Sequence, residues 1–232
     1  MEKPKIKVFK TSVWPKKAAD LIGDKVLSIL NERGHCSVML TGGHSAAKLY
    51  QAWSVSPKFH LLAQVSFYFG DERCVLSSHP ESNYDLVMRT LFLKGVPEGC
   101  SIIGMEADLP DRDSAAAAYE RKLPATIDVL LLSPGEDGHI ASLFPGDPVS
   151  VEMNRAVMFV IGLKSPTDRL TITPKVISEA REIFLLGLGV LKGKILAQAL
   201  RTDGSAKELP VRYALGATWL LDQAAYQELN RD

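Results

Sequence analysis

Aspartate, glycine and histidine crowd the end of one apolar run. Residues 127–132 lead into Ser133-Pro134-Gly135-Glu136-Asp137-Gly138-His139-Ile140-Ala141-Ser142-Leu143-Phe144-Pro145-Gly146. A histidine titrates near pH ~6.5, so a neutral imidazole at position 139 can take a proton from water at neutral pH, which is what a general base must do. A histidine on a loop is usually just a solvated polar residue. This one stands among turn glycines, with Asp137 two residues before it, where a strand should open into a ligand crevice. A second polar set, Asp71, Glu72 and Arg73, follows Phe69-Gly70. By itself that set reads equally as a solvated loop with a local ion pair.

Anion binding has separate candidates. Residues 38–40 run into Thr41-Gly42-Gly43-His44-Ser45 and then a helical stretch from Ala46, so paired glycines expose backbone N–H groups at a helix amino terminus. That geometry suits a phosphate. The same glycines also serve a turn that needs only their backbone freedom, and neither GxxxxGK[ST] nor GxGxxG is present. Arg169 lies close to Ser165, Thr167, Thr171 and Thr173, and a guanidinium so placed can grip a phosphate bidentately. Lys192 and Lys194 follow Leu186-Gly187-Leu188-Gly189 and would serve as well as solvated helix charges.

These loops need a scaffold that collects strand ends on one side. Residues 38–40, 65–69, 127–132, 156–161 and 183–186 are continuously apolar, the signature of strands covered on both faces in a parallel sheet. Between them lie helical patterns. Residues 15–31 place Ile22, Val26, Ile29 and Leu30 on one face before Gly34; Ser82 caps a helix to about Phe92; Asp113 caps a short alanine-rich one; Thr173-Pro174 opens another. The spacing predicts a last helix from Thr218 to about Leu229. The alternation specifies an α/β fold, a doubly wound, mainly parallel, Rossmann-like sheet with helices on both faces. No repeat or linker divides residues 1–232, so a single domain is expected, with residues 98–113 and 202–210 as excursions or flaps.

Composition narrows the function classes. The 232 residues hold 27 Lys plus Arg and 27 Asp plus Glu, so no global field attracts nucleic acid or an anionic membrane. No apolar stretch approaches the roughly 20 residues of a bilayer span. Cys36, Cys74 and Cys100 fit neither a disulfide framework nor a zinc spacing, and they read as reduced thiols of a cytoplasmic protein. No metal site is expected.

Together the motifs resemble the 6-phosphogluconolactonase family, within the group that also holds glucosamine-6-phosphate deaminases and isomerases. The resemblance rests on Thr41-Gly42-Gly43, on Gly70-Asp71-Glu72-Arg73 with His79 and Ser82-Asn83-Tyr84, on the long run from Asp137 to Pro145, and on Arg169-Leu170-Thr171 with Gly189-Val190-Leu191-Lys192. It implies hydrolysis of a small phosphorylated sugar lactone without an organic cofactor. It implies that Gly42 and Gly43, with Arg169 and Lys192, hold the phosphate, while Arg73 and His139 serve the lactone end and Asp137 orients the histidine. Asp71 is carried over as a further catalytic candidate. Family members often have Ser-Thr-Pro after the paired glycines where this chain has His44-Ser45-Ala46-Ala47, and a Gly-Met pair where it has Ser133-Pro134. His44 and Ser45 are expected beside the phosphate, Ser45 through its hydroxyl.

The chemistry this implies is direct attack of water on the lactone carbonyl, with His139 as base and Arg73 or loop amides at the oxyanion. No GxSxG elbow is present for a covalent serine route. A deaminase-isomerase would need Asn-Glu-Pro after Asp-Gly-His-Ile-Ala, where this chain has Ser142-Leu143-Phe144-Pro145. The remaining alternative is a sugar-phosphate sensor without catalysis. The chain is expected as a monomer or homodimer.

Overall fold

A computed structural model describes residues 3–201 and 204–231. In chain order its strands are β1 (Lys5–Phe9), β2 (Cys36–Leu40), β3 (Val65–Phe69), β4 (Asp71–Arg73), β5 (Ser101–Ile102), β6 (Val129–Leu132), β7 (Val157–Ile161), β8 (Asp168–Ile172), β9 (Glu182–Gly187) and β10 (Thr218–Asp222). The α-helices are α1 (Trp14–Arg33), α2 (His44–Ser54), α3 (Pro57–His60), α4 (Asn83–Thr90), α5 (Arg112–Glu120), α6 (Pro174–Glu179), α7 (Val190–Arg201) and α8 (Gln223–Leu229).

Among the described residues seven strands form one sheet in the order β1-β10-β9-β6-β2-β3-β5, every neighbouring pair parallel. The chain moves outward from β2 through β3 to β5 and then returns to β6 on the other side of β2. The order therefore reverses between β2 and β6, which is where a doubly wound sheet opens a crevice at its carboxyl ends. Helices α1 and α2 pack against each other, and α7 packs against α8. Residues of β2 and β6 are buried throughout, so their continuous apolar composition matches cover on both sides. One buried apolar cluster runs from Trp14 to Ala225. No helix among the described residues is long and apolar enough to cross a membrane.

Three local expectations are corrected. The apolar run at 156–161 forms β7 outside the parallel sheet, in a three-stranded antiparallel sheet of order β4-β8-β7. The connection from β7 to β8 is too short for a parallel crossover, and β7 is only half buried. The predicted helix from Thr218 is strand β10 followed by α8, because residues 219–222 are all buried and Asp222 caps the helix by accepting from the Ala225 N–H at 2.9 Å. Asp111 rather than Asp113 caps α5, accepting from the Ser114 N–H at 3.0 Å. Residues 5–9, for which no element was expected, pair in parallel with β10 at the sheet edge. The excursion at 98–113 contributes the edge strand β5, while residues 202 and 203 of the second excursion lie outside the described residues. Gly34 ends α1 with φ 75°, and Ser82 caps α4 by accepting from the Asp85 N–H.

Candidate active site

The cleft lies where β2 and β6 part. A cavity of about 160 Å³ is lined by Thr41, Gly42 and Gly43 after β2, Asp71 and Arg73 on β4, Asn83 opening α4, the 133–141 loop through His139, Arg169 on β8 and Lys192 on α7. Arg73, His139 and Arg169 also line an adjoining cavity of about 570 Å³, with Asp137, Phe144 and Leu163.

At the glycine turn, Gly43 takes φ 90°, where a side chain is strained, and it precedes the first residue of α2. The first-turn N–H groups of a helix have no intrahelical partner, and beside them the Gly42–Gly43 backbone lines the cavity, an arrangement suited to an anion. A Cβ on Gly42 would sit 2.0 Å from the Asn83 side-chain oxygen, so only glycine fits beneath α4. His44 is exposed on α2 and Ser45 is buried, and neither side chain lines either cavity. Lys192 reaches the cleft and donates to the Ser133 hydroxyl. Burial pulls its ammonium pKa down to about 8. Arg169, 8% exposed, donates from Nε to the Pro166 carbonyl at 2.8 Å and from Nη2 to the Lys164 carbonyl at 3.2 Å. Burial first, and Arg73 second, lower its pKa.

Across the cleft, His139 Nδ1 lies 2.5 Å from Asp137 Oδ1. A carboxylate can only accept, so Nδ1 carries the hydrogen and Nε2 holds the free lone pair. The Asp137 carboxyl is held below its usual range chiefly by that bond. The ring packs over Gly135, where a Cβ would lie 2.1 Å from its Cε1, and 5.2 Å from the Phe144 ring. The side chain keeps 32% of its surface exposed, which leaves Nε2 reachable by water. Asp71 is buried, and both its oxygens accept, from Asn83 Nδ2 at 3.1 Å and Ser142 Oγ at 2.8 Å. Next to it, Glu72 ties β4 to α4: it accepts from the N–H groups of Arg73, Asn83 and Tyr84 and from the Ser82 hydroxyl. Burial nonetheless raises its pKa. Arg73 donates to the Glu81 carbonyl, while its buried Nε has no hydrogen-bond partner among the described residues.

The structure thus gathers Gly42, Gly43, Asp71, Arg73, His139, Arg169 and Lys192 on one cleft, with Asp137 behind the imidazole. Asn83, Ser133, Gly135 and Ala141 join them. Asn83 was legible only as part of a polar string, since its role depends on α4 packing against the glycine turn. Ala141 is held at φ 50°, a conformation its residue type gives no sign of. Among the described residues no group of three or more His, Cys, Asp or Glu is placed to hold a metal ion.

Fold and site define a class: a doubly wound α/β protein whose switch-point crevice joins an anion-suited turn to an aspartate–histidine pair. Residues 11–221 match the family described as glucosamine-6-phosphate isomerases/6-phosphogluconolactonase, and the chain belongs to that family. It is 36% identical to a 6-phosphogluconolactonase of Streptomyces coelicolor over 92% of this chain and 89% of the relative. It is 33% identical to one of Mycobacterium tuberculosis over 85% of this chain and 86% of that one. The 6-phosphogluconolactonase structure from Trypanosoma cruzi superposes with a TM-score of 0.84 at 27% identity, covering 100% of this chain and 99% of the other.

Proposed function

We propose that this chain hydrolyses 6-phospho-D-glucono-1,5-lactone to 6-phosphogluconate. The observation that carries the reading is the single cavity lined by the glycine turn, Lys192 and Arg169 together with Asp71, Arg73 and His139. The glycine-turn amides, Lys192 and Arg169 hold the phosphate. Its charge of about −1.5 to −2 at pH 7 makes it a strong remote anchor for the reacting ring. His139 Nε2 takes a proton from water as the oxygen attacks C1, and Asp137 fixes the ring tautomer and stabilises the imidazolium. The Arg73 guanidinium, which lines the same cavity, meets the developing oxyanion. Collapse of the tetrahedral species breaks the bond from C1 to the ring oxygen, which recovers a proton from His139 and leaves the open acid. Asp71, held by Asn83 and Ser142, fixes the polar floor beside Arg73.

Phe144 favours this over a deaminase, because it packs an aromatic ring on His139 where the deaminase reading needs a carboxylate. Our reading is of a cytoplasmic reaction carried by one domain, as monomer or homodimer, without cofactor or nucleic acid; the free thiols of Cys36, Cys74 and Cys100 support the cytoplasmic part of it. The test is a pH-stat assay with freshly made lactone against an enzyme-free blank. Acid release well above the blank is expected; phosphogluconate binding without acceleration would leave a sensor, and ammonia release from glucosamine 6-phosphate would leave a deaminase.

A further inference from the structure

Two tyrosines on different helices do the same unusual thing. The Tyr50 hydroxyl accepts from the Thr41 N–H at 3.0 Å and donates to the Thr41 carbonyl at 2.7 Å. The Tyr119 hydroxyl accepts from the Phe69 N–H at 2.7 Å and donates to the Phe69 carbonyl at 3.1 Å. Both rings are fully buried. Each hydroxyl satisfies both main-chain groups of one residue.

The residues so held stand at the brink of the site: Thr41 itself lines the cavity, and Phe69 comes two residues before Asp71. Odd-numbered residues of β2 point their main-chain groups towards β6, but the pairing of β2 with β6 stops at Met39 and Leu130, and the crevice opens beyond it. Thr41 is the next such residue, so Tyr50 takes the place of the departed strand. On β3 the pairing with β5 covers only Ser66 and Phe67, and Ile103 N–H still reaches the Phe67 carbonyl. Phe69 is again the next residue facing that side, and Tyr119 from α5 takes the missing strand's place. Gly42 follows Thr41, and Gly70 then Asp71 follow Phe69. Burial raises both tyrosine pKa values, so the hydroxyls stay protonated and able to donate and accept together.

We infer that Tyr50 and Tyr119 are positioning residues with divided duties. Tyr50 fixes the glycine turn at the phosphate end, and Tyr119 fixes the Asp71–Arg73 arm at the lactone end. The division of ends rests on the lactonase reading above. Removing either hydroxyl leaves a buried N–H and C=O that must move to find new partners, and a shift of an ångström at a reacting group costs on the order of a hundredfold in rate.

Tyr50→Phe and Tyr119→Phe keep the packed rings, and the test is steady-state kinetics on fresh 6-phosphogluconolactone after circular dichroism confirms folding. Tyr50→Phe should raise KM on the order of tenfold with kcat within about twofold, whereas Tyr119→Phe should lower kcat on the order of tenfold with KM within about twofold. An unmodified chain that fails to exceed the blank sinks the hydrolase reading itself. An active one whose two variants change the same parameter, or neither, sinks the divided duties and leaves the hydrolase standing. Should either variant not fold, NMR of the unmodified protein decides: added inorganic phosphate should shift the Thr41 amide resonance and spare that of Phe69. Equal or reversed shifts overturn the inference.

Discussion

Buried charge sits at both ends of the central sheet, but only one end is internally balanced. At the amino ends, Asp128 is 2% exposed and accepts from the Ser37 N–H and hydroxyl, each at 2.9 Å. Arg33 and Arg181 both pair with it. At the carboxyl ends, Arg73 keeps a buried donor without a partner, Lys192 has no carboxylate against it in any ion pair among the described residues, and burial pulls down the pKa values of Lys192 and Arg169. A saturated cluster holds a fold together. An unsaturated one costs stability and persists where a ligand supplies the missing charge.

The sharpest way to break this contrast is to exchange the expected effects of its two centres. His139→Ala should lower kcat/KM by about 10²–10⁴ and leave stability nearly unchanged, because the ring is partly exposed and its one polar partner, Asp137, is itself solvated. Full activity above the blank would remove the base assignment. Asp128→Ala should do the reverse. Leaving two arginines face to face and the Ser37 amide unpaired should cost about 2–3 kcal/mol in chemical denaturation, less than a wholly buried pair because Arg33 and Arg181 are 31% and 55% exposed. A fall in kcat of the folded enzyme beyond about threefold would show that the amino end also serves the reaction.

Lys192 tests the other half of the claim, that the cleft is destabilised for its ligand. Its ammonium is charged below a pKa of about 8, so phosphate binding should weaken as pH rises through that value, and KM should climb while kcat changes less. The linkage has a definite sign. The folded pKa lies below the unfolded one near 10.5, so the charged form costs stability at neutral pH, and that cost fades as pH rises from about 8 towards 10.5. Lys192→Met should therefore raise KM on the order of tenfold while raising Tm at pH 7 by roughly 2–4 °C, the shift that about 1 kcal/mol gives a chain of this size. A lower Tm would mean that the ammonium stabilises the fold.

The sequence was most legible where one residue type has one physical job. Buried strands such as residues 129–132 announce themselves by unbroken hydrophobicity, and the Asp137–His139 spacing brings the imidazole nitrogen onto the carboxylate within a single turn. Legibility failed where neighbours decide. Residues 157–161 are as apolar as a central strand, yet a tight connection makes them an antiparallel flank. Residues 5–9 look too polar for a strand because an edge strand is half exposed. Tyr50 and Tyr119 are ordinary helix residues until the strands beside them separate. His44 and Ser45 stand next to the glycine turn in sequence, but the first turn of α2 points one outward and the other into the core.

The smallest expected effect concerns Ala141, held at φ 50° between His139 and the buried Ser142. The isolated bridge between Ile140 and Leu143 makes this a tight reversal, and Ser142 must face inward because its N–H donates to Thr171 Oγ1 while its hydroxyl donates to Asp71. Both anchors fix the path of the chain, so the left-handed conformation is imposed on a residue whose Cβ resists it, at a cost of order 1 kcal/mol. Glycine removes that resistance in the folded state but adds freedom to the unfolded chain, worth about 0.4–1 kcal/mol in the opposite direction. The two nearly cancel, so Ala141→Gly should change stability by less than about 1 kcal/mol in denaturant titration. Activity discriminates better: if the bonds to Thr171 and Asp71 hold the turn, kcat/KM should stay within about threefold, whereas a larger loss would show that the alanine methyl itself shapes the cleft beside His139.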